Sequence, residues 1–347
     1  MRYLGDTLLV TPLISALKNA FPQAKIDVLT FKKNESIFEG NFDIHQIISI
    51  PQKLNWKQQF QLFKKIFRKY NFSVITQTGD RPILYGLLAA PIQFGFVPIK
   101  NQTGWFKRYL LTNFLEFDTV KTHTVLENLR LCELLSIEKY YHVTLPKIKQ
   151  SINLKQFVHY QSQKYVVLHP VAQWNYKRWA TEGWIEIIKY LDYQGFKIVF
   201  SGSSLISEIE YLNQLQSAIP IETINLAGLL SLAELAELIS RAKLYIGVDT
   251  GISHLAAATG VKTVVLFGPS DPVKWAPWPT NYTKNVSPFM SKGTQTVNNV
   301  TLIQHSLACV PCYLEGCDRH RQSESDCLQQ LPAEIVKQVI TKILCCE

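Results

Sequence analysis

The stretch Asp249-Thr250-Gly251-Ile252-Ser253-His254 sets a carboxylate, two hydroxyls, an imidazole and a glycine between two branched apolar runs, 243–248 and 261–267. The intervening residues are mostly small, as a buried helix joining two strands requires. In such a strand–helix–strand unit, ligands bind beyond the carboxyl ends of the strands, where helix amides and the positive end of the helix dipole point. The amides of residues 250–254 would make an anion site there. Gly251 lets a phosphate come close to the backbone, and Thr250 and Ser253 add hydroxyl donors. Asp249 would repel a phosphate and suits sugar hydroxyls instead. A plain helix cap at Asp249 or Thr250 explains the same residue types equally well.

A second cluster runs from His169 to Trp184, "HPVAQWNYKRWATEGW". It also follows a strand pattern and precedes a helix pattern, so it belongs on the same carboxyl edge. Adjacent cations Lys177 and Arg178 could neutralise a diphosphate leaving group, and Trp174 or Trp179 could cover a base. The competing reading is a basic loop whose aromatic residues are core. A third cluster, "RYLGDTLLVTP", places Asp6 just before a helix, either as its N-cap or as a general base facing an opposite domain.

Four of the seven cysteines are spaced Cys309-x2-Cys312-x4-Cys317-x9-Cys327. In a cytosolic protein this spacing suggests a structural zinc or other metal more than disulfides, with His305 or His320 as substitute ligands. Reduced packing or surface thiols are the alternative. Cys345-Cys346 at the tail is read as incidental.

The elements that must position these residues alternate regularly between Lys164 and Gly268. "KYVVLHP", "FKIVFSG", "KLYIGVD" and "VKTVVLFG" read as strands. "TEGWIEIIKYLDYQG" reads as a helix closed by Gly195, and "SLAELAELISRA" as one with Ser231 and Glu234 as capping box. Alternation of this kind implies a parallel, doubly wound α/β sheet. In the first half, "TLLVTPLISALKNAFP" reads as one helix ending before Pro22, "AKIDVLT" and "FSVITQT" as strands, and "WKQQFQLFKKIFRKY" as a basic amphipathic helix. Two Rossmann-like domains are therefore expected, 1–155 and 163–330, with a join near 150–163. A closing helix within 331–347 is opened by Pro332. The chain begins "MRYLGD", so the strand that normally opens a doubly wound domain is missing, and the natural start is expected upstream of Met1.

At 347 residues, 47% hydrophobic and 18% charged, the composition is that of a globular protein. No apolar run is long enough to span a bilayer and no secretory leader pattern is present, which points to the cytoplasm. Of the net charge of +9, residues 1–160 carry 21 basic against 11 acidic groups and residues 161–347 carry 15 against 16. The basic half suits an anionic partner or a merely solvated face. No nucleic-acid-binding motif accompanies the charge, so nucleic acid is disfavoured.

Taken together, "LGDTLLVTPLISALKNAFPQAKIDVL", "HPVAQWNYKRWATEGWIEII", "NLAGLLSLAELAELISRAKLYIGVDTGISHLAAATGVKTVVLFGPSDP" and "CVPCYLEGC" resemble, in order, the blocks of the lipopolysaccharide heptosyltransferases, glycosyltransferase family 9. "HPVAQW…KRW" is most similar to the heptosyltransferase III type. The resemblance implies a GT-B fold, with two Rossmann-like domains facing each other across a cleft. The C-terminal domain would hold ADP-heptose, the N-terminal domain the lipid A–core acceptor, and the final helix would cross back to the N-terminal domain. By the same resemblance, Asp6 matches the catalytic base, Lys177 the phosphate-binding lysine and Asp249 the sugar-contacting aspartate. Thr250-Gly251 with Ser253-His254 match the phosphate-binding helix start. Ala172-Gln173 stand where some members have hydroxyl residues. Inversion at the sugar is implied, and no Asp-x-Asp motif is present to bind a metal–diphosphate, so no catalytic cofactor is expected.

An acidic lipid-linked acceptor also accounts for the basic half. "FQLFKKIFRKY" and "GWFKRYLLTNF" mix cations with aromatics, as a surface resting on the inner leaflet of the inner membrane would. Two rival readings are a glycosyltransferase using another nucleotide sugar and a non-catalytic nucleotide-sugar-binding module.

Overall fold

Residues 164–345 build a seven-stranded sheet whose central strands are buried on both faces. The strands are β6 (Tyr165–His169), β7 (Lys197–Phe200), β8 (Thr223–Asn225), β9 (Leu244–Val248), β10 (Thr263–Phe267), β11 (Gln295–Val297) and β12 (Val300–Gln304). Their order is β11-β12-β10-β9-β6-β7-β8, and every pairing is parallel except β11 with β12. Without β11, this is the Rossmann order 3-2-1-4-5-6, with the switch point between β6 and β9. Every residue of β6, β9, β10 and β12 is buried, which is why they read as continuous apolar runs. Helix Thr181–Tyr193 ends as expected, with Gly195 at φ +80°. Ser231 and Glu234 form the capping box of helix Leu232–Ser240. The closing helix, Ala333–Cys345, buries Val336 and Ile340 in this unit's core, and Tyr190 Oη lies 2.6 Å from Thr341 Oγ1.

The computed structural model describes residues 3–100, 102–118, 120–148 and 164–345. The chain divides into two units, 1–143 and 144–347. The expected join at 150–163 lies outside the described residues, as do Arg2 and Cys346.

The first unit carries β1 (Asp27–Phe31), β2 (Gln46–Ile50), β3 (Phe72–Ile75), β4 (Ile92–Val97) and β5 (Asn113–Glu116). These pair, all parallel, as β1-β2 and as β3-β4-β5. The single helix expected over 7–21 is two helices, Leu4–Leu8 and Thr11–Ala20. Pro12 explains the break: its ring would clash with the Leu8 carbonyl four residues back, and it has no N–H to donate. Asp6 accordingly lies inside the first short helix, half-buried, and is not its N-cap. That position is held by Tyr3. The basic helix Trp56–Ile66 forms as expected, with a capping box between Asn55 and Gln58.

Candidate active site

Two loops meet at the carboxyl edge of the second unit's sheet, one after β6 and one after β9. These are the strands flanking the switch point, where a crevice opens in a doubly wound sheet. The β6 loop ends in a single 3-10 turn, Asn175–Lys177. Lys177 Nζ stands 2.6 Å from Asp249 Oδ2, a pair in which the aspartate side chain is 6% exposed and the lysine 23%. Residues 72 apart in sequence thus form one ion pair because β6 and β9 are neighbours.

Thr250 is the N-cap residue of helix Gly251–Thr259 by backbone position, yet its side chain makes no cap bond. Its Oγ1 is buried without a partner in hydrogen-bonding geometry, in the neighbourhood of the Tyr245 phenol. His254, one turn on, is buried beside the ion pair, and its Nδ1 is likewise without a partner. An unpaired buried polar atom is costly in a folded protein. The His254 nitrogen beside the ion pair and helix start, with Thr250 Oγ1 met only loosely by the Tyr245 phenol, is what a site built for a polar ligand would leave. Burial holds the His254 pKa down at about 4, with Asp249 opposing and Lys177 reinforcing the shift, so the imidazole is neutral at pH 7.

Lys177, Asp249, Thr250, Gly251 and His254 are brought together. Ser253 and Arg178 are turned elsewhere. Ser253 is fully buried, and its hydroxyl donates to the Val248 carbonyl at 2.6 Å while lying 3.1 Å from Tyr245 Oη. The Tyr245 phenol in turn lies where a side chain at 247 would stand, so only glycine fits there. Arg178 Nε donates to the Ala172 carbonyl at 3.2 Å, and its guanidinium sits 5.8 Å from the Tyr211 ring centroid. Trp179 is core, packed edge-on to Trp184 with Nε1 donating to the Leu331 carbonyl at 2.9 Å, and so is no cover for a base. Asp6 belongs to the first unit.

The sequence reading missed the support of the lysine turn. Arg321 lies 4.7 Å over the Trp174 ring and its Nε donates to Glu315 at 2.9 Å. The Asn175 backbone N–H bonds the Arg321 carbonyl, and its side-chain amide the Gln322 carbonyl. The cysteine-rich loop therefore braces the turn that carries Lys177. No local signal in the sequence pairs segments about 145 residues apart.

The structure lends the expected metal at the cysteine cluster no support. Among the described residues, no group of three or more His, Cys, Asp or Glu side chains could hold a metal ion. Cys309 and Cys317 are exposed, Cys312 is half-buried and Cys327 is buried. Burial, then the neighbouring Cys312, Cys309 and Cys317, pushes the Cys327 thiol up to about 12. The sulfur spacing brings the four into one neighbourhood, but the loop turns them to different environments.

The same burial makes a pH prediction. His169 is held at about 4 chiefly by burial, against the nearby Glu208, and His254 at the same value. An unfolded histidine titrates near ~6.5. Between that value and about 4 the unfolded chain binds more protons, so stability is lost as pH falls through this window. Urea unfolding of the second unit should weaken steadily from pH 7 to pH 4, and H254Q should flatten the slope. A pH-independent midpoint over this range would remove both histidines from the account.

Two Rossmann-like units, the second with a polar site at its switch point, define a GT-B fold, the architecture of many sugar-transferring enzymes. The signature of glycosyltransferase family 9 (heptosyltransferase) matches residues 84–302, and the chain belongs to that family. It is a glycosyltransferase of the heptosyltransferase kind. The lipopolysaccharide heptosyltransferase 3 of Escherichia coli K12 is 29% identical over 295 residues, which cover 81% of this chain and 84% of that protein. The glycosyl transferase family 9 structure from Veillonella parvula DSM 2008 has a TM-score of 0.78 at 18% identity, covering 100% of this chain and 96% of that one. The E. coli ADP-heptose lipopolysaccharide heptosyltransferase II has a TM-score of 0.73 at 20% identity, covering 99% and 96%.

Proposed function

We propose that this chain moves heptose from ADP-heptose to the inner core of lipopolysaccharide, with inversion at the anomeric carbon. The observation that carries the reading is the Lys177–Asp249 pair beside the Thr250–His254 helix start, at the switch point of a family 9 fold. The acceptor hydroxyl oxygen attacks the anomeric carbon of the donor while Asp6 takes its proton. The bond from that carbon to the diphosphate oxygen breaks, and ADP leaves with the electron pair. Lys177 and the amides at the start of helix Gly251–Thr259 meet the charge that develops on the diphosphate. Asp249, which no phosphate would approach, accepts from sugar hydroxyls. His254 stays neutral and offers a hydrogen bond, not a charge. Arg178 and Ser253 hold the framework from behind. No metal takes part in this scheme.

Relatives named heptosyltransferase 3 and a solved structure named for ADP-heptose support the donor and the acceptor class. The direct test is incubation with ADP-heptose and truncated lipopolysaccharides, read by mass spectrometry. Addition of one heptose to a deep-rough acceptor is expected. Transfer only from another nucleotide sugar would overturn the donor assignment.

The same reading proposes a cytoplasmic location, peripheral on the inner leaflet. Among the described residues no helix is long and apolar enough to cross a membrane. Helix Trp56–Ile66 buries Leu62 and Ile66 and leaves Trp56 and Phe60 exposed, with Lys57 and Lys64 stacked on those rings. Aromatics and cations on one outer face suit an anionic interface. In the other candidate stretch, Trp105, Phe106 and Tyr109 are exposed, whereas Lys107 is buried against Asp80 and the Thr78 carbonyl and is no lipid contact. Co-sedimentation with phosphatidylglycerol vesicles at low salt is expected, falling as salt rises and falling further in W56S/F60S. Absence of binding at low salt would sink the assignment.

A further inference from the structure

Tyr176 stands where two ion pairs meet. It precedes Lys177 in the turn Asn175–Lys177 and is half-buried. One pair is Lys177–Asp249, at the helix start. The other is Arg321–Glu315, Nε to Oε1 2.9 Å, on the cysteine-rich loop. Both act on the Tyr176 phenol. Burial raises its pKa most, Lys177 and Arg321 lower it, and Asp249 and Glu315 raise it. Among the described residues, no group hydrogen-bonds this hydroxyl. We propose that Tyr176 is a second hydrogen-bond donor to the diphosphate of the nucleotide sugar, beside Lys177, an assignment that rests on the donor class proposed above.

The fold carries the cysteine-rich loop across the site to this residue. At one end, the Tyr313 N–H bonds the Pro269 carbonyl, just past β10, at 3.1 Å, and Tyr313 Oη donates to Asp271 Oδ2 at 2.6 Å. At the other end, the Arg321 carbonyl accepts from the Asn175 N–H on the β6 loop. Since β9 lies between β10 and β6, residues 313–321 pass from one side of the Asp249–Thr250 turn to the other. The Arg321 guanidinium then closes over Trp174, two residues before Tyr176. Strap and ion pair thus hold the phenol between them. The chemistry of the position favours an anion as its partner. A phenol whose pKa is raised stays protonated at neutral pH, so it donates without adding a repelling charge, and a hydrogen bond to an ionised acceptor is the stronger kind. Tyr176 brings the sole hydroxyl of the stretch from Pro170 to Lys177, and Ser253 at the helix start is turned inward to Val248. Arg321 offsets Glu315, so the strap brings no net charge from that pair against a diphosphate.

The test is calorimetric titration of the parent, Y176F and E315Q/R321Q with ADP, ADP-heptose and adenosine. Phenylalanine keeps the ring and removes only the donor. Y176F should weaken ADP and ADP-heptose alike, by about tenfold, the usual loss of a hydrogen bond to a charged group, and leave adenosine and the melting temperature unchanged. E315Q/R321Q should weaken ADP by less than about threefold, as expected of a half-exposed pair. Unchanged ADP affinity in Y176F overturns the proposal. Weakening of ADP-heptose alone would move the phenol to the sugar, and equal weakening of adenosine would leave it a packing role; either result overturns the diphosphate contact. A larger loss in E315Q/R321Q than in Y176F would give that contact to Arg321. If the parent prefers another nucleoside diphosphate, the ADP-heptose assignment fails, while a tenfold loss of that nucleotide in Y176F sustains the role of Tyr176. Binding of no nucleoside diphosphate by the parent overturns both.

Discussion

K177A is expected to lower kcat/KM for heptose transfer by ~10²–10³-fold, the typical loss when one preorganised donor to a developing anion is removed. The effect belongs mainly in kcat, because the diphosphate gains most of its charge as the bond to the sugar breaks. The variant carries a second cost. Lys177 Nζ is 2.6 Å from a carboxylate whose side chain is 6% exposed, and removing the cation leaves Asp249 uncompensated. Breaking a fully buried pair costs about 3–5 kcal/mol; a lysine still 23% exposed to water brings the figure toward the lower end or below it. The two effects separate in K177A/D249N, which should regain stability without regaining transfer. A K177A enzyme within threefold of the parent would show that the lysine serves only to hold Asp249.

D6N should be nearly as damaging to turnover. A positioned general base contributes ~10²–10⁴-fold, and asparagine keeps the size of the side chain while losing its ability to take a proton. Asp6 is half-buried in a five-residue helix and is engaged there, so the substitution should also cost about 0.5–1.5 kcal/mol of stability, read by urea unfolding beside turnover. The Kd for ADP-heptose should be unchanged, since the proton removed belongs to the acceptor. A D6N variant with full kcat, or one that loses donor binding in step with turnover, would remove Asp6 as the base.

Much of the second unit was written locally in its residues. β6, β9 and β10 lie inside a sheet covered on both faces, so their apolar runs are unbroken and their ends are marked by His169, Asp249 and Gly268. The Ser231–Glu234 capping box and Gly195 are contacts within a few residues, and such signals survive without any tertiary context. The helix break at residues 9–10 was equally local, since Pro12 excludes Leu8 from a continuous turn.

What only the tertiary structure decided is which of these groups share a site and which way each points. Lys177 and Arg178 are neighbours with the same charge. One meets Asp249 and the other meets Tyr211 and a backbone carbonyl, because a single extended step between them reverses the side-chain direction. Ser253 has the composition of a ligand donor, yet one helical turn carries it inward onto Val248. The four cysteines come into one neighbourhood but differ in exposure, from buried Cys327 to exposed Cys309 and Cys317. Residue type and spacing determined the elements and the candidate chemistry. Strand order, which brings distant segments to one edge, decided the site.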